Sequence, residues 1–238
     1  MAPAVEKPDW SLIDTVLLDL DGTLLDLAFD NYFWREVIPD AYAAARAMTP
    51  DEARSTLIPR FRAREGTLEW YCIEHWSREL ELDIVALKRS VAARIAWLPG
   101  AQGFLRRLRE AGKRVVLLTN AHPKTLRIKD ERTGVRRFLD AALSSHEFGA
   151  PKENPAFWEA VRRVEPFDRG RTLFVDDSPP VLNAARVAGV RWVYGVRFPS
   201  TARHGGAREA RDHASFPAVD AVSQLAPDAS INSWLADA

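Results

Sequence analysis

The chain has 238 residues, and its 33 lysines and arginines balance 33 aspartates and glutamates, so the formal net charge is zero. This balance excludes a general electrostatic attraction to nucleic acid or to an anionic membrane surface. Cys72 is the one cysteine, which excludes an internal disulfide bond and is typical of a reducing compartment. The N-terminus lacks the pattern of a secretion signal and no apolar run is long enough to span a membrane, so we expect a cytoplasmic protein.

Five segments predict β-strands, because they are short apolar runs bounded by polar residues. Three are strong, at 15–21, 114–120 and 172–177, and two are weaker, at 141–145 and 191–196. Helical patterns that start at capping residues or end at a glycine separate the later strands. These helices cover 101–112, 154–164 and 178–189. The alternation predicts an α/β fold with a doubly wound, mostly parallel sheet.

About ninety residues between the first two strong strands break this alternation. Residues 28–97 contain no convincing strand and have helical patterns, one of which begins with a capping box of Thr49 and Glu52. We therefore predict an α/β core made of residues 1–27 and 98–198, with an all-helical module at 28–97 inserted in it. The segment 199–238 is predicted to be rich in loops and weakly ordered.

The predicted strands end in polar side chains, at the edge of the sheet where ligands bind in open α/β folds. Six of them come in pairs at the carboxyl ends of the strong strands: Asp19 and Asp21, Thr119 and Asn120, and Asp176 and Asp177. Lys152 follows the weaker strand at 141–145 at loop distance. These groups are expected to share one crevice.

Four carboxylates cannot share a small crevice without compensation, because like charges repel strongly at low dielectric. Mg²⁺ resolves the conflict, since it binds one or two carboxylates and fills its remaining positions with water and substrate phosphate. Lys152 adds a positive charge, and Thr119 and Asn120 add neutral donors for phosphate oxygens. The histidines have no metal-ligand spacing, and none of His75, His122 and His146 is assigned a metal.

Each of these motifs alone has an ordinary structural explanation. Asp21 and Gly22 are a common turn pair, and Asp176 and Asp177 precede a helix that they could cap. Lys152 alone would be read as a surface lysine. The set as a whole and its order along the chain favour a shared chemical role.

The four motifs in this order resemble those of the haloacid dehalogenase-like (HAD) hydrolase superfamily. The segment "DLDGT" at 19–23 is similar to the nucleophile motif, Thr119 to the second motif, Lys152 to the third, and "DD" at 176–177 to the fourth. The helical insertion occupies the place of the family's helical cap. The resemblance covers most of the chain to about residue 198 and implies a HAD-like Rossmannoid core.

The resemblance also implies roles for these residues. Asp19 would attack phosphorus and become an aspartyl-phosphate, and Asp21 would protonate the leaving oxygen and then activate water. Mg²⁺ would be held by Asp19, the backbone carbonyl of Asp21, and Asp177, with Asp176 contributing directly or through water. Thr119 and Lys152 would stabilise charge on the transferring phosphoryl group.

The inserted helices are rich in aromatic residues, which either pack the helices or stack on a planar base. The aromatic residues are Phe29, Tyr32, Phe33, Trp34, Trp70, Tyr71 and Trp76. Several segments, most distinctively "DLAFDNYFW" at 26–34, resemble the GMP/IMP nucleotidase group of the superfamily. This resemblance implies a 5′-nucleotidase for purine monophosphates, with Asn31 and Trp34 as candidate substrate-binding residues. Asp30, Asn31 or Glu69 could read polar edges of the base or ribose.

Other functions stay open at this point. A sugar-phosphate phosphatase or a phosphomutase would use the same core residues. A dehalogenase or phosphonatase is disfavoured, because those members of the superfamily lack the second aspartate that is Asp21 here. A phospho-acceptor signalling receiver is a remote alternative, since its acidic pair precedes the nucleophile and its domain is about half as long. The sequence leaves the oligomeric state open.

Overall fold

The core of the molecule is a parallel β-sheet. The computed structural model describes residues 7–228. The strands of the sheet are β1 Thr15–Leu18, β2 Arg114–Thr119, β3 Ala141–Ser144, β4 Thr172–Asp176, β5 Trp192–Val196 and β8 Ala218–Val219. They lie in the order β3-β2-β1-β4-β5-β8, and all five neighbouring pairs are parallel. A separate antiparallel pair consists of β6 Arg203–His204 and β7 Ala207–Arg208. The predicted doubly wound parallel sheet is confirmed.

Four helices cover the two faces of this sheet: α7 Ala101–Glu110, α8 Pro123–Thr133, α9 Pro155–Val164 and α10 Pro179–Val187. Side chains alternate along β1, so that Val16 and Leu18 pack towards α7 and α8, whereas Leu17 packs towards α9 and α10. The four residues of β1 are all buried, as expected for a strand covered on both faces. The apolar runs of the sequence therefore form the centre of two hydrophobic layers.

The strand order places a crevice between β1 and β4. The chain leaves β1 towards β2 and β3 on one side, and then returns to β4 on the other side of β1. At such a switch point the loops at the carboxyl ends of the two strands separate and leave a crevice for a ligand. The order also differs from the 2-1-3-4-5 order of receiver-type sheets, which excludes that alternative.

Residues 28–97, here called the cap, are helical as predicted. The cap helices are α1 Ala28–Tyr32, α2 Ile38–Arg46, α3 Pro50–Arg62, α4 Leu68–Tyr71, α5 Ile73–Leu80 and α6 Ile84–Ser90. A π-helical turn, Phe33–Val37, joins α1 to α2. The predicted capping box at Thr49 and Glu52 is present. The extended backbone of Cys72 separates α4 from α5, so residues 68–80 form two helices rather than one.

The cap has a hydrophobic core of its own. Buried residues of its helices, among them Phe33, Leu57 and Trp76, form a cluster separate from the two layers of the sheet. The chain enters and leaves the cap through two adjacent segments that bond to each other. The Asp26 N–H donates to the Ala96 carbonyl at 2.9 Å. The exact limits of this unit, 28 and 97, stay a prediction.

The segment after Phe198 contributes more to the core than its composition indicates. Ala218–Val219 adds the sixth strand beside β5, and a 3₁₀ turn at Val222–Leu225 packs on α7. A strand of two residues is too short to show a periodic pattern, so the sequence does not predict it. Residues 229–238 of the predicted loop-rich segment lie outside the described residues. Within residues 7–228, no helix combines the length and the apolar character needed to cross a membrane.

We predict that this late segment stabilises the whole fold. Leu225 is fully buried in the layer formed by α7. Leu225→Ala should lower the free energy of unfolding by about 2 to 5 kcal/mol, because it leaves a cavity in a packed core. Urea denaturation followed by circular dichroism measures this change. Val187→Ala is the control, because Val187 is 69% exposed and its loss should change stability by less than about 0.5 kcal/mol. Equal stability of the two variants would contradict the prediction.

Candidate active site

Three buried carboxyl groups meet at the carboxyl ends of β1 and β4. Asp19 follows the last residue of β1, and its backbone N–H donates to the Val175 carbonyl of β4 at 3.0 Å. Asp176 ends β4, and Asp177 follows it. Because the two strands are parallel neighbours, one carboxylate oxygen of each side chain lies within 4.8 Å of the others. The sheet therefore brings Asp19 together with two adjacent acids that are far from it in the sequence.

Lys152 is the ammonium group of this cluster. Its Nζ contacts Asp19 Oδ1 and lies 2.7 Å from Asp176 Oδ2. The Lys152 backbone is held from both sides: its N–H donates to Asn120 Oδ1 at 2.9 Å, and its carbonyl accepts from Trp158 Nε1 at 2.8 Å. Although burial opposes the charged form, Asp176 and Asp19 raise the pKa of Lys152 above its ordinary value.

Lys152 and the half-exposed guanidinium of Arg211, which lies 3.4 Å from Asp177, do not compensate three buried carboxylates. Burial raises the pKa of Asp19 to about 6 against the opposing effect of Lys152. Burial and the neighbouring carboxylates raise the pKa of Asp177 well above its ordinary value. Oδ2 of Asp19 is buried and has no hydrogen-bond partner among the described residues. An all-oxygen set with excess negative charge and an unpartnered oxygen fits a hard divalent cation, so Asp19, Asp176 and Asp177 could hold one.

Gly22 allows the loop after β1 to approach the acids. Its φ is +91°, a conformation that favours glycine. A Cβ atom at this position would lie 2.7 Å from Cγ of Asp177 and 2.8 Å from Pro199. No side chain fits there unless Asp177 or Pro199 moves. The glycine of "DLDGT" is therefore required both by backbone conformation and by the contact with Asp177.

Asp21 belongs to a second line of alternating charges, which reaches into the cap. Lys129 of α8 lies 2.6 Å from Asp21 and 2.5 Å from Asp30 of the cap, and Asp30 in turn bonds to Lys88 at 3.0 Å. Although burial opposes ionisation, the two lysines hold the pKa of Asp30 well below its ordinary value. Burial raises the pKa of Asp21 to about 6 against the opposing effect of Lys129. This line connects the side chain of Asp21 to the cap.

The second predicted motif lies beside the acids but is already hydrogen-bonded within the protein. Thr119 Oγ1 accepts from the Ala121 N–H at 3.0 Å. The Asn120 amide accepts from the Lys152 N–H and donates to Glu153 Oε2 at 2.9 Å. Tyr71 of the cap donates to the other oxygen of Glu153 at 2.6 Å. The side chain of Asn120 thus joins the loops that carry the site. The sequence had predicted only a contact between Asn120 and phosphate, and not this structural role.

A cavity of about 880 Å³ lies between the acids and the cap. All the predicted site residues line it: Asp19, Asp21, Asn31, Trp34, Thr119, Asn120, Lys152, Asp176 and Asp177. Asp30 also lines it, but its carboxylate is held by two lysines. Glu69 is exposed and does not line the cavity, so the structure does not support its suggested contact with a base.

The aromatic residues of the cap pack mainly against one another. Trp34 lies edge to face on Phe61 and on Trp76, with ring centroids 5.6 and 6.2 Å apart. Trp76 is buried, and its Nε1 donates to the Trp70 carbonyl at 2.9 Å. Trp34, Phe61 and Trp70 are partly exposed and line the cavity. The cluster therefore packs the helices and also gives the cavity an aromatic wall.

Several residues of the site were missed in the sequence. Lys88, Lys129, Glu153 and Arg211 all line the cavity. Lys129 had a weak signal, because it falls three residues after Leu126 on the buried side of α8. Arg211, which lies 3.4 Å from Asp177, had no signal, because it lies in an irregular segment.

The family model of the haloacid dehalogenase-like hydrolases matches residues 13–189. A GMP/IMP nucleotidase of Escherichia coli K12 is 44% identical over 192 residues, which are 81% of this chain and 86% of that protein. A pyrimidine 5′-nucleotidase of the same organism is 29% identical over 183 residues, which are 72% of this chain and 78% of that protein.

Among solved structures, a HAD phosphatase from Thermococcus onnurineus has the same fold. Its TM-score is 0.72 at 20% sequence identity, and the match covers 90% of this chain and 96% of the other. The family match spans most of the chain, and the sheet, the inserted cap and the order of the acidic motifs agree with it. The chain therefore belongs to the haloacid dehalogenase-like hydrolases.

Proposed function

We propose that this hydrolase is a Mg²⁺-dependent 5′-nucleotidase that dephosphorylates purine nucleoside monophosphates, chiefly GMP and IMP. The observation that carries the proposal is the position of Asp19, which has a buried and unpartnered Oδ2 and lines a cavity large enough for a nucleotide. The 44% identity to a GMP/IMP nucleotidase supports the substrate class. The expected cytoplasmic location is part of the same proposal.

Asp19 and Asp21 divide the chemistry between them. The Asp19 carboxylate attacks phosphorus, the bond from phosphorus to the ester oxygen breaks, and Asp21 gives its proton to that leaving oxygen. The products of this step are the nucleoside and an aspartyl-phosphate. Water then attacks phosphorus and gives a proton to Asp21, and the bond between phosphorus and Asp19 breaks to release phosphate. Lys129 orients Asp21 for both proton transfers through its contact at 2.6 Å.

The other polar groups bind the phosphoryl group and balance its charge. Lys152 lies beside Asp19 and can stabilise negative charge on the transferring oxygens, and Thr119 and Asn120 adjoin the same position. Asp19, the backbone carbonyl of Asp21, Asp176 and Asp177 would hold Mg²⁺. When bound, the ion neutralises charge on the phosphoryl oxygens.

The cap supplies the contacts to the nucleoside. Trp34 lines the cavity and offers a ring face for a purine base, and Asn31 offers an amide that can bond to polar edges of the base or ribose. Since a sugar-phosphate phosphatase or a phosphomutase would need the same core residues, the choice of substrate rests on these cap contacts.

Asp19→Asn should abolish turnover while leaving the fold intact. An amide cannot attack phosphorus, so we expect kcat to fall on the order of 10³-fold or more. Phosphate release measures the rate, and circular dichroism and Tm check the fold. Asp14→Asn is the matched control, because Asp14 precedes β1 at the opposite end and is exposed. It should retain activity near that of the unmutated chain, and a similar rate in Asp19→Asn would disprove the nucleophile assignment.

Removal of Mg²⁺ should silence the enzyme reversibly. A chelator should reduce phosphate release to the background rate, and added Mg²⁺ should restore it, because the acids need a cation to share the site. Asp177→Asn should raise the Mg²⁺ concentration for half-maximal rate by about tenfold or more. A rate that persists in the chelator, with metal-free protein verified by elemental analysis, would contradict the proposed metal requirement.

A substrate panel tests the proposed function directly. Phosphate release with Mg²⁺ would be measured for GMP, IMP, AMP, a pyrimidine monophosphate and several sugar phosphates. We expect the highest kcat/KM for GMP and IMP. Equal or higher values for sugar phosphates would keep the phosphatase chemistry but reject the nucleotidase, and transfer of phosphate to a second hydroxyl group would indicate a phosphomutase.

A further inference from the structure

A second group of metal-binding side chains lies where the cap meets the core. Cys72 joins α4 to α5 in the cap, His122 lies between β2 and α8, and His146 lies in a 3₁₀ turn after β3. One possible ligand atom of each side chain lies within 4.8 Å of the other two. Three distant segments thus bring a sulfur and two imidazole rings together. The spacing of these histidines in the sequence had not indicated a metal site.

His146 has a buried ring nitrogen that needs a partner. Its Nε2 has no hydrogen-bond partner among residues 7–228, and its ring packs edge to face on His122 with centroids 4.8 Å apart. A buried polar atom without a partner is unusual and indicates an unfilled interaction. Burial and His122 lower the pKa of His146 to about 4, so the ring is neutral at neutral pH, the form that binds metals.

Cys72 presents its sulfur at the start of a helix. Its Sγ accepts a hydrogen bond from the His75 backbone N–H at 3.4 Å, at the N-terminus of α5. This contact places the sulfur as an acceptor on the side of the cap that meets the core. A metal would replace the thiol proton, as metal binding to cysteine generally does.

We propose that Cys72, His122 and His146 form a site for a transition metal ion of the Zn²⁺ class, which joins the cap to the core. One sulfur and two imidazole nitrogens suit zinc and do not suit Mg²⁺, which prefers oxygen ligands. Three protein ligands leave a fourth position for water. Neighbouring ligands of tetrahedral zinc are about 3.5 Å apart, so the side chains would close on the ion by small rotations. The site is independent of the proposed nucleotidase function.

His122 is expected to be the weakest of the three ligands, because it also caps α8. Its Nδ1 accepts from the Lys124 backbone N–H at 3.2 Å, which places the ring proton on Nε2. A metal at Nδ1 would replace this bond, and a metal at Nε2 would require the ring proton to move. Cys72 and His146 are therefore the positions to change in a test.

The test is titration of the full metal-free chain with Co²⁺ and with Zn²⁺, in buffer that contains Mg²⁺. We expect about one Zn²⁺ bound per folded chain, and a thiolate-to-cobalt absorption band with Co²⁺. Cys72→Ser should abolish the band. His146→Ala should weaken Zn²⁺ binding by at least about tenfold, because even the loss of a residue that only hydrogen-bonds to a metal ligand lowers metal affinity by that much. His75→Ala is the matched control, because its ring is outside the cluster, and it should bind Zn²⁺ as the unmutated chain does.

Circular dichroism of each variant checks that it is folded. Because Cys72 is the one cysteine of the chain, the cobalt band of the unmutated protein reports on this site even if a variant fails to fold. The proposal would be overturned if the folded chain showed no thiolate-to-cobalt band, or if folded Cys72→Ser and His146→Ala variants bound Zn²⁺ as tightly as the unmutated chain. Neither readout depends on phosphatase activity, so this outcome is separate from that of the proposed function.

Discussion

Three carboxyl groups, those of Asp19, Asp176 and Asp177, are buried together at the ends of two parallel strands, with Lys152 in contact with two of them. Two unit charges 4 Å apart interact by about 4 kcal/mol at an effective dielectric constant of 20, so this cluster strongly favours an added cation. The surrounding structure holds these four side chains in position. The hydrogen bonds of Asn120 and Trp158 hold Lys152 in place, and the order of the strands brings the acids together.

The cap is connected to this cluster through a separate set of buried charges. Asp30 of the cap lies between Lys88 and Lys129, and Lys129 also contacts Asp21. In a buried line of alternating charges, removal of one member leaves its neighbours uncompensated, at a cost of about 3 to 5 kcal/mol. The position of the cap and the orientation of Asp21 are therefore energetically linked. In the proposed mechanism, the substrate contacts of the cap and the proton transfers of Asp21 would both depend on these ion pairs.

The sequence predicted the features that depend on local patterns. Runs of a few residues were enough to predict the five main strands, the helices capped by Thr49 and Asn154, and the acids at the ends of β1 and β4. The remaining features depend on contacts between distant segments. Lys129 looks like any helical lysine until Asp21 and Asp30 are placed against it, and the two-residue strand at 218–219 is defined only by its neighbour β5.

The cluster of Cys72, His122 and His146 is another feature that the sequence does not predict, because it depends on contacts between distant segments. Metal sites are recognised in a sequence when two ligands lie a few residues apart, as they do on one helix or in one hairpin. Here each ligand comes from a different segment, two from loops of the core and one from the cap. The same geometry explains why a metal there would bridge two parts of the molecule rather than stabilise one of them.

Gly22 shows how a short motif can encode a distant neighbour. The absence of a side chain at position 22 leaves the space that Asp177 occupies. The glycine of "DLDGT" is therefore required in part by a residue that follows β4. In evolutionary terms, the two positions are expected to vary together. A lineage that replaced Asp177 with a smaller residue would lose one of the reasons for a glycine at position 22, while the left-handed backbone and the close approach of Pro199 would remain.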